Sequence, residues 1–327
     1  MKLAALSRRE ALAASLAALT SACATPAPAS RIPVIFNTDI GGDIDDAWAL
    51  MQILRTPELD LKLVSTDGGV TSTRASIAAK ILEACGRANI PISLGNDPTY
   101  GTLQQSAWLG DYKLAHYPAA IHFSGAAAIA HEIISSAHEV TVISVSPATT
   151  LAAALALEPR IAERARFVGM YGSIRRGMPS DAGPIAEWNV KQNAAALRAI
   201  FAAPWQCTIT PLDTCAQVVL DGADYQRIRQ SRDPFARLIV EQYESWRPHA
   251  DWLGPDVDPA VRTSTLFDCT AVELAHNESA FGIETLPLVV TDDGYTRIDP
   301  AGRPVRCATS WRDLAGLKAK LSATFAS

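Results

Sequence analysis

A short acidic segment near the start of the chain carries the residues best suited to chemistry. Four aspartates fall within eight positions, directly after the apolar run 32–36: Asp39, Asp43, Asp45 and Asp46. Carboxylates this close repel one another unless a positive group lies among them. Gly41 and Gly42 between them permit a tight turn that brings the carboxylates together. Converging oxygen ligands are typical of a site for a hard divalent cation, and Ca²⁺ is the ion we expect.

A helix start is the simpler explanation for part of this segment. Asp is a favourable residue at helix N-termini, so Asp45 or Asp46 could serve only to begin a helix at 45–55. That explanation leaves Asp39 and Asp43 without a role. The segment as a whole therefore favours a metal site over a capped loop.

The acidic segment must be positioned by a larger framework, and the rest of the chain predicts one. Strand-like and helix-like segments alternate, which is the pattern of a parallel sheet with crossover helices. The predicted strands are 32–36, 61–65, 90–94, 140–145, 166–170 and 207–210. The predicted helices are 45–55, 73–85, 125–136 and 149–157. We expect an α/β fold with a doubly wound, mostly parallel sheet flanked by helices, in which ligands bind beyond the carboxyl ends of the strands.

The alternation gives way after about residue 220 to a polar, helix-rich stretch. A further helix at 268–276 and a strand at 286–290 follow. No internal repeat or linker divides the chain, so we expect residues 31–327 to form one domain with a helical rim insertion.

The first thirty residues have the layout of an export signal. Basic residues precede an apolar stretch at 11–19, which is too short to span a bilayer, and small residues follow it. Arg8 and Arg9 resemble a twin-arginine signal, so we expect a bacterial periplasmic protein that is exported after folding. Cys23 lies in a loose lipoprotein cleavage box. Lipidation at Cys23, which would anchor the protein to a membrane, and simple cleavage both stay open.

Composition narrows the classes of partner. The formal net charge is −5 and 48% of the residues are apolar, which indicates a globular protein with a substantial core. No run of Lys or Arg marks a nucleic-acid surface, so a small neutral or cationic ligand is the better expectation. The five cysteines after residue 30 have no metal-ligand spacing and are expected to be buried thiols, although a Cys207–Cys215 disulfide stays open.

The acidic segment resembles the N-terminal signature of the nucleoside hydrolase family. A broad branch of that family has Asp-Thr-Asp-Ile-Gly-x-Asp-x-Asp-Asp-Ala, and residues 37–47 read Asn-Thr-Asp-Ile-Gly-Gly-Asp-Ile-Asp-Asp-Ala. Further segments similar to family motifs follow in order: 67–70, 74–75, 146–151, 170–172, 186–189 and 266–268. The resemblance implies hydrolysis of the N-glycosidic bond of a nucleoside or related ribosyl compound, giving ribose and free base. We expect a homodimer or homotetramer.

The resemblance also implies a ligand set and a general base. Ca²⁺ would be held by the carboxylates of three aspartates and one backbone carbonyl: Asp39, Asp46, Asp268 and Thr149. The ion would hold a water and lower its pKa, and Asp39 would accept the proton of that water.

The sugar would be bound by carboxylates and an amide in pairs. By the same resemblance, Asp45 and Asn189 would bind the 2′-hydroxyl, and Glu187 and Asp268 the 3′-hydroxyl. Glu187 and Asn189, two apart on an extended segment, would face the same side, whereas the alternative is a solvated helix start. Asp181 would lie near the 5′-hydroxyl.

Three positions depart from the family pattern. Asn37 stands in place of an Asp, which removes a charge and could weaken metal binding. Gly69 replaces an Asn that contacts the sugar in other members, and Phe267 replaces the His that many members use to protonate the leaving base. The leaving-group acid is therefore not identified. Four residues of the rim could close over the base, although packing is the commoner role of each aromatic: Tyr243, Trp246, His249 and Trp252.

Two other functions compete with hydrolysis. The missing His leaves open an exported, non-catalytic protein that binds a ribosylated ligand with the same metal site. A phosphatase of the haloacid-dehalogenase type also places acids after a first strand. Its nucleophilic Asp would fall at Asn37, which cannot form an aspartyl phosphate, so this hypothesis is the weakest.

Overall fold

A ten-stranded sheet forms the centre of the molecule in a computed structural model, which describes residues 31–97, 99–254 and 257–327. The strands are β1 Ile32–Thr38, β2 Leu59–Thr66, β3 Ile92–Ser93, β4 Ile121–His122, β5 Val140–Ser144, β6 Ala165–Met170, β7 Cys207–Thr210, β8 Phe281–Val290, β9 Thr296–Ile298 and β10 Arg303–Trp311. Their order across the sheet is β4-β3-β2-β1-β5-β6-β7-β10-β8-β9. The seven strands from β4 to β7 in this order run parallel to one another, and β10 is parallel to β7. β8 pairs antiparallel with β10 and with β9, which forms the edge.

Helices cover both faces of this sheet. They are α1 Asp45–Arg55, α2 Thr71–Ala84, α3 Ser106–Leu109, α4 Gly125–Ser135, α5 Thr149–Leu157, α6 Trp188–Gln192, α7 Ala194–Ala202, α8 Leu212–Cys215, α9 Gly222–Arg229, α10 Pro234–Trp246, α11 Phe267–His276 and α12 Leu314–Ala326. Short 3₁₀ turns occupy Leu114–His116, Pro159–Glu163 and Arg247–His249. None of the helices in the described part of the chain is long and apolar enough to cross a bilayer.

Alternate residues of β1 enter two separate cores. Val34 and Phe36 pack with α1, α2 and the helices of the rim, whereas Ile35 packs with α4, α5 and α7 on the other face. A strand buried on both faces reads as a continuous apolar run, which is why the sequence indicated it so clearly. The predicted doubly wound α/β fold is confirmed, and residues Ile32–Ser327 form one compact unit. The predicted export signal, residues 1–30, lies outside the described residues.

The carboxyl-terminal part of the sheet is where the prediction was incomplete. The last predicted strand, 286–290, is the second half of β8, and β4, β9 and β10 were not predicted. β10 lies between β7 and β8, parallel to the first and antiparallel to the second. The disulfide left open between Cys207 and Cys215 is absent, since both are free thiols in the described structure.

The rim insertion is helical, as expected. It comprises α9, α10 and the turn Arg247–His249, packed over the α1 side of the sheet. Tyr243 and Trp246 are fully buried and stack on each other, so both serve as core residues. His249 and Trp252 are exposed, and the Trp252 ring meets the Trp246 ring edge-on.

Candidate metal centre and active site

Three buried carboxylates converge at the carboxyl edge of the sheet. Asp45, Asp46 and Asp268 are each 3% exposed, and one carboxylate oxygen from each lies within 4.8 Å of the others. We call these three residues the acidic group. The first two belong to the first turn of α1 and the third to the first turn of α11, so two helix N-termini face one point. Their aligned backbone dipoles favour negative charge there.

The turn that precedes α1 makes this convergence possible. Residues 39–44, which we call the acidic loop, leave β1 and enter α1. Gly41 has φ +113°, and a Cβ there would lie 2.7 Å from a Leu103 methyl and 2.8 Å from an Ile77 methyl. Only glycine fits this turn, which is the tight turn that the sequence predicted.

The helix-capping alternative does not describe what the acids do. Ile44 is the N-cap of α1, and no side chain caps the helix. The Asp45 carboxylate instead accepts a hydrogen bond at 3.2 Å from the backbone N–H of Asp268, on the other helix. Asp46 accepts one from the hydroxyl of Thr38. The first of these bonds joins the two distant segments through a carboxylate, and the second joins the end of β1 to the start of α1.

Burial and mutual repulsion raise the pKa values of the acidic group. Desolvation raises the pKa of each of the three well above the ordinary value, and the neighbouring carboxylates raise them further. Burial also raises the pKa of Asp39 and of Asp43 to about 6. A bound cation would offset this cost, and a set of carboxylate oxygens fits a hard divalent ion such as Ca²⁺.

Asp39 lies beside the acidic group and is not one of its three members. It is partly buried, and its charge raises the pKa values of Asp45, Asp46 and Asp268. Arg74 acts in the opposite direction and lowers the pKa of Asp39. The role of Asp39 as ligand and base stays a prediction. Asp45, which was expected to bind the sugar, is the carboxylate that converges with Asp46 and Asp268.

Glu187 and Asn189 are both buried, 3% and 6% exposed, on either side of the exposed Trp188. The premise of an extended segment is wrong, because Glu187 is the N-cap of α6 and Asn189 lies in its first turn. The Glu187 carboxylate accepts from the N–H groups of Asn189, Val190 and Gly172 at 2.8 to 3.2 Å. Burial raises the pKa of Glu187 to about 7. The alternative of a solvated helix start is therefore correct for the helix start and wrong for the solvation, since both side chains are buried. Their role in binding the sugar stays a prediction.

Thr149 and Asp181 occupy different surroundings. Thr149 is the first residue of α5, directly after Ala148, whose φ of 58° turns the backbone sharply. Its hydroxyl accepts a hydrogen bond from Asn193 at 2.9 Å. Asp181 is exposed in a turn, where its carboxylate accepts from the Met178 N–H at 2.7 Å. The assignments of the Thr149 carbonyl to the ion and of Asp181 to the 5′-hydroxyl both stay predictions.

The side-chain amide of Asn37 makes three hydrogen bonds to neighbouring parallel strands and the loop after β5. Its amide N–H donates to the Ser65 carbonyl at 3.2 Å, and its oxygen accepts from the hydroxyls of Ser144 and Ser146, each at 2.9 Å. Because an ionised carboxylate could not make the first bond, the amide is the better partner for these neighbours.

Two residues with a clear place in this site were not assigned roles from the sequence. Asp67, directly after β2, is buried and accepts from the backbone N–H of Thr150 at 3.0 Å, which ties this loop to the start of α5. Arg74 on α2 reaches the acidic loop and bonds its carbonyls. An acid immediately after a second parallel strand, and one arginine in a run of small residues, were the available signals.

Comparison with known families gives a match over most of the chain. The model of the family described as "Inosine-uridine preferring nucleoside hydrolase" matches residues 34–315. Among characterised relatives, a probable uridine nucleosidase 2 of Arabidopsis thaliana is 25% identical over 231 residues, 64% of this chain and 68% of the relative. The non-specific ribonucleoside hydrolase RihC of Klebsiella pneumoniae is 29% identical over 227 residues, 66% of this chain and 73% of the relative.

Solved structures share the fold. The plant nucleoside hydrolase PpNRh1 superposes with a TM-score of 0.72 at 21% identity, covering 91% of this chain and 98% of that one. An inosine-uridine preferring nucleoside hydrolase from Bacillus anthracis gives 0.71 at 19% identity, covering 90% and 99%. A purine-preferring ribonucleoside hydrolase from Gardnerella vaginalis gives the same TM-score, identity and two coverages.

Proposed function

This chain belongs to the inosine-uridine preferring nucleoside hydrolase family, and we propose that it is a Ca²⁺-dependent N-ribohydrolase. It hydrolyses the N-glycosidic bond of a nucleoside or related ribosyl compound and releases ribose and the free base. The observation that carries the proposal is the acidic group, in which carboxylates more than two hundred positions apart in sequence meet in a buried site.

The residues around the acidic group can supply an oxygen-only shell. Asp46 and Asp268 are ligands in this proposal, joined by Asp39 and the backbone carbonyl of Thr149, with Asp45 between the shell and the sugar. Ca²⁺ takes six to eight oxygen ligands, so this set leaves positions for water and for sugar hydroxyls. Bound there, the ion supplies charge stabilisation and lowers the pKa of water.

Asp39 is the general base. Burial raises the pKa of Asp39 to about 6 in the metal-free chain, and a bound Ca²⁺ would favour its ionised form. Arg74 favours its ionised form, which is the form a base requires. The proton of the attacking water passes to the Asp39 carboxylate.

The sugar is held by the buried polar groups around the acidic group. Asp45 and Asn189 bind the 2′-hydroxyl, and Glu187 and Asp268 bind the 3′-hydroxyl. The oxygens of Glu187, fixed by three backbone N–H groups, keep lone pairs for a hydroxyl donor. Hydrogen bonds that tighten as the ring flattens lower the barrier selectively.

The base lies toward the rim. Trp252, 54% exposed, offers an indole face for stacking, whereas Tyr243 and Trp246 are committed to the core. The names of the relatives cover uridine, non-specific and purine-preferring enzymes, so they do not single out one base.

Release of reducing sugar tests the proposal directly. We expect the purified protein to release ribose from inosine or uridine in Ca²⁺, and a chelator to abolish release, with activity restored by added Ca²⁺. Nucleoside binding without sugar release would instead support the non-catalytic binding protein. Turnover of p-nitrophenyl phosphate would support the phosphatase, and we expect none.

The enzyme acts in the periplasm in this proposal, as a homodimer or homotetramer. The twin-arginine-like layout of residues 1–30 supports export, and Cys23 is the candidate site of a lipid anchor. Cell fractionation of the full chain and of an Arg8→Lys, Arg9→Lys variant tests export. Cys23→Ser tests the anchor by moving the protein from the membrane to the soluble fraction, and light scattering measures the assembly.

A further inference from the structure

Five of the six backbone carbonyls of the acidic loop, those of residues 39–43, are bonded by residues distant in sequence. Arg74 donates to the carbonyls of Asp39 and Ile40, the latter at 3.0 Å. Gln105 donates to Gly41 through its backbone N–H at 3.1 Å and to Asp43 through its side-chain amide at 2.9 Å. The indole N–H of Trp246 donates to Gly42 at 2.7 Å. We call Arg74, Gln105 and Trp246 the outer clamp.

The backbone carbonyl oxygens of the acidic loop and the carboxylate oxygens that follow it have different partners. The five successive carbonyls of residues 39–43 are committed to the outer clamp. The carboxylates of Asp45 and Asp46, just beyond, are left to converge with Asp268. A loop held at five successive carbonyls has little freedom to relax when the neighbouring carboxylates repel one another.

Arg74 is the member of the clamp that joins two loops. Besides its bonds to the acidic loop, its guanidinium donates to Gly68 at 2.8 Å and Gly69 at 3.0 Å, in the loop between β2 and α2. The side chain is buried, 7% exposed. Its planar fork of donors can bond several carbonyls at fixed angles, which a lysine ammonium on a flexible stem cannot reproduce.

The charge of Arg74 and its geometry have opposite effects on a cation site. A positive charge beside the acidic group lowers the pKa of Asp39 and of Asp46, but it also repels an incoming cation. If charge were the main effect, removing Arg74 would strengthen Ca²⁺ binding. If the hydrogen bonds to the carbonyls were the main effect, removing it would weaken binding.

We propose that Arg74 is a positioning residue, which holds the acidic loop and the β2–α2 loop together so that the acidic group is preformed for Ca²⁺. The inference rests on the proposed metal site of the hydrolase. It assigns to Arg74 a geometric role that outweighs the electrostatic cost of its charge.

Calorimetric titration of the metal-stripped protein with Ca²⁺ alone, without nucleoside, tests this inference. We expect Arg74→Met to weaken Ca²⁺ binding at least tenfold, and Arg74→Lys, which keeps the charge and part of the bonding, to give a smaller loss. We also expect added Ca²⁺ to restore part of the activity that Arg74→Lys loses at limiting Ca²⁺, because the defect lies in assembling the site.

Lys80→Met is the matched control. Lys80 lies on the same helix and its ammonium also donates to backbone carbonyls, those of Trp108 and Leu109, but these are outside both loops. This variant loses the same charge, and we expect unchanged Ca²⁺ affinity.

Equal or tighter Ca²⁺ binding by a folded Arg74→Met would overturn the inference. Should Arg74→Met fail to fold, Arg74→Lys decides, since unchanged affinity in that variant also overturns it. Absence of Ca²⁺ binding by the unmodified protein would instead reject the proposed metal site itself.

Discussion

Buried carboxylates occur in two different environments at the same edge of the sheet. Asp213, in the helix that follows β7, is 3% exposed, and both of its oxygens accept from backbone N–H groups, those of Ile174 and Arg175, at 2.9 Å. In the acidic group the carboxylates face one another. Asp45 accepts a hydrogen bond from the Asp268 N–H, and Asp46 accepts one from the Thr38 hydroxyl. The first environment stabilises a carboxylate with the chain's own donors, whereas the second leaves charge for a cation to neutralise.

The largest expected effect is on catalysis within the second environment. Asp39→Ala should lower kcat by about 10²–10⁴-fold, the usual contribution of a general base, with the fold retained. Steady-state release of ribose measures the loss, and circular dichroism checks the fold. Retained activity would reject Asp39 as the base. Asp213→Asn, assayed in parallel, should keep kcat within a few-fold.

Replacing a carboxylate with an amide should change the stability of the metal-stripped protein in opposite directions in the two environments. Asp46→Asn removes one of the repelling charges, so the metal-stripped variant should melt at a higher temperature than the unmodified protein, while Ca²⁺ affinity falls at least about tenfold, or ~1.4 kcal/mol. Asp213→Asn opposes an amide N–H to a backbone N–H and should lose about 1–3 kcal/mol of stability at unchanged Ca²⁺ affinity. Scanning calorimetry with and without Ca²⁺ measures both. Two variants that shift the melting temperature in the same direction would contradict the distinction.

The sequence was sufficient for the framework and insufficient for the contacts that complete the site. The six predicted parallel strands were visible because each is a short segment rich in apolar or β-branched residues, and β1 placed the acids at the correct edge. β10 was not visible, because its place between β7 and β8 depends on long-range pairing rather than local pattern. The convergence of Asp268 with α1 was expected only through family resemblance. Arg74 was given no role, because its partners are backbone carbonyls of two loops, and the approach of those loops depends on tertiary structure.

A pH dependence should separate the metal-free protein from the Ca²⁺-bound one. Burial raises the pKa of Asp39 and Asp43 from 3.8 to about 6 in the folded chain. A raised carboxyl pKa gives stability that is complete below about pH 4 and is lost as the pH rises through 6, because the folded state binds more protons. The metal-stripped protein should therefore melt at progressively lower temperature between pH 4.5 and 7, and saturating Ca²⁺ should reduce this decline. An equal fall in melting temperature with Ca²⁺ present would show that the ion does not change the pKa values of these carboxylates.

Asn37→Asp would replace a buried amide that is fully hydrogen-bonded with a buried carboxylate that lacks one of those bonds. The new carboxylate could not donate to the Ser65 carbonyl and would place a further charge at a fully buried position, so the metal-stripped variant should lose about 1–3 kcal/mol. The same charge should raise Ca²⁺ affinity several-fold, because it adds to the field of the acidic group. Asn89→Asp, which adds the same charge at an exposed position, is the control and should change neither quantity. If Ca²⁺ affinity does not rise, the nearest carboxylates alone determine the electrostatic field at the ion. The amide of Asn37 would then serve to accept hydrogen bonds from the two serine hydroxyls.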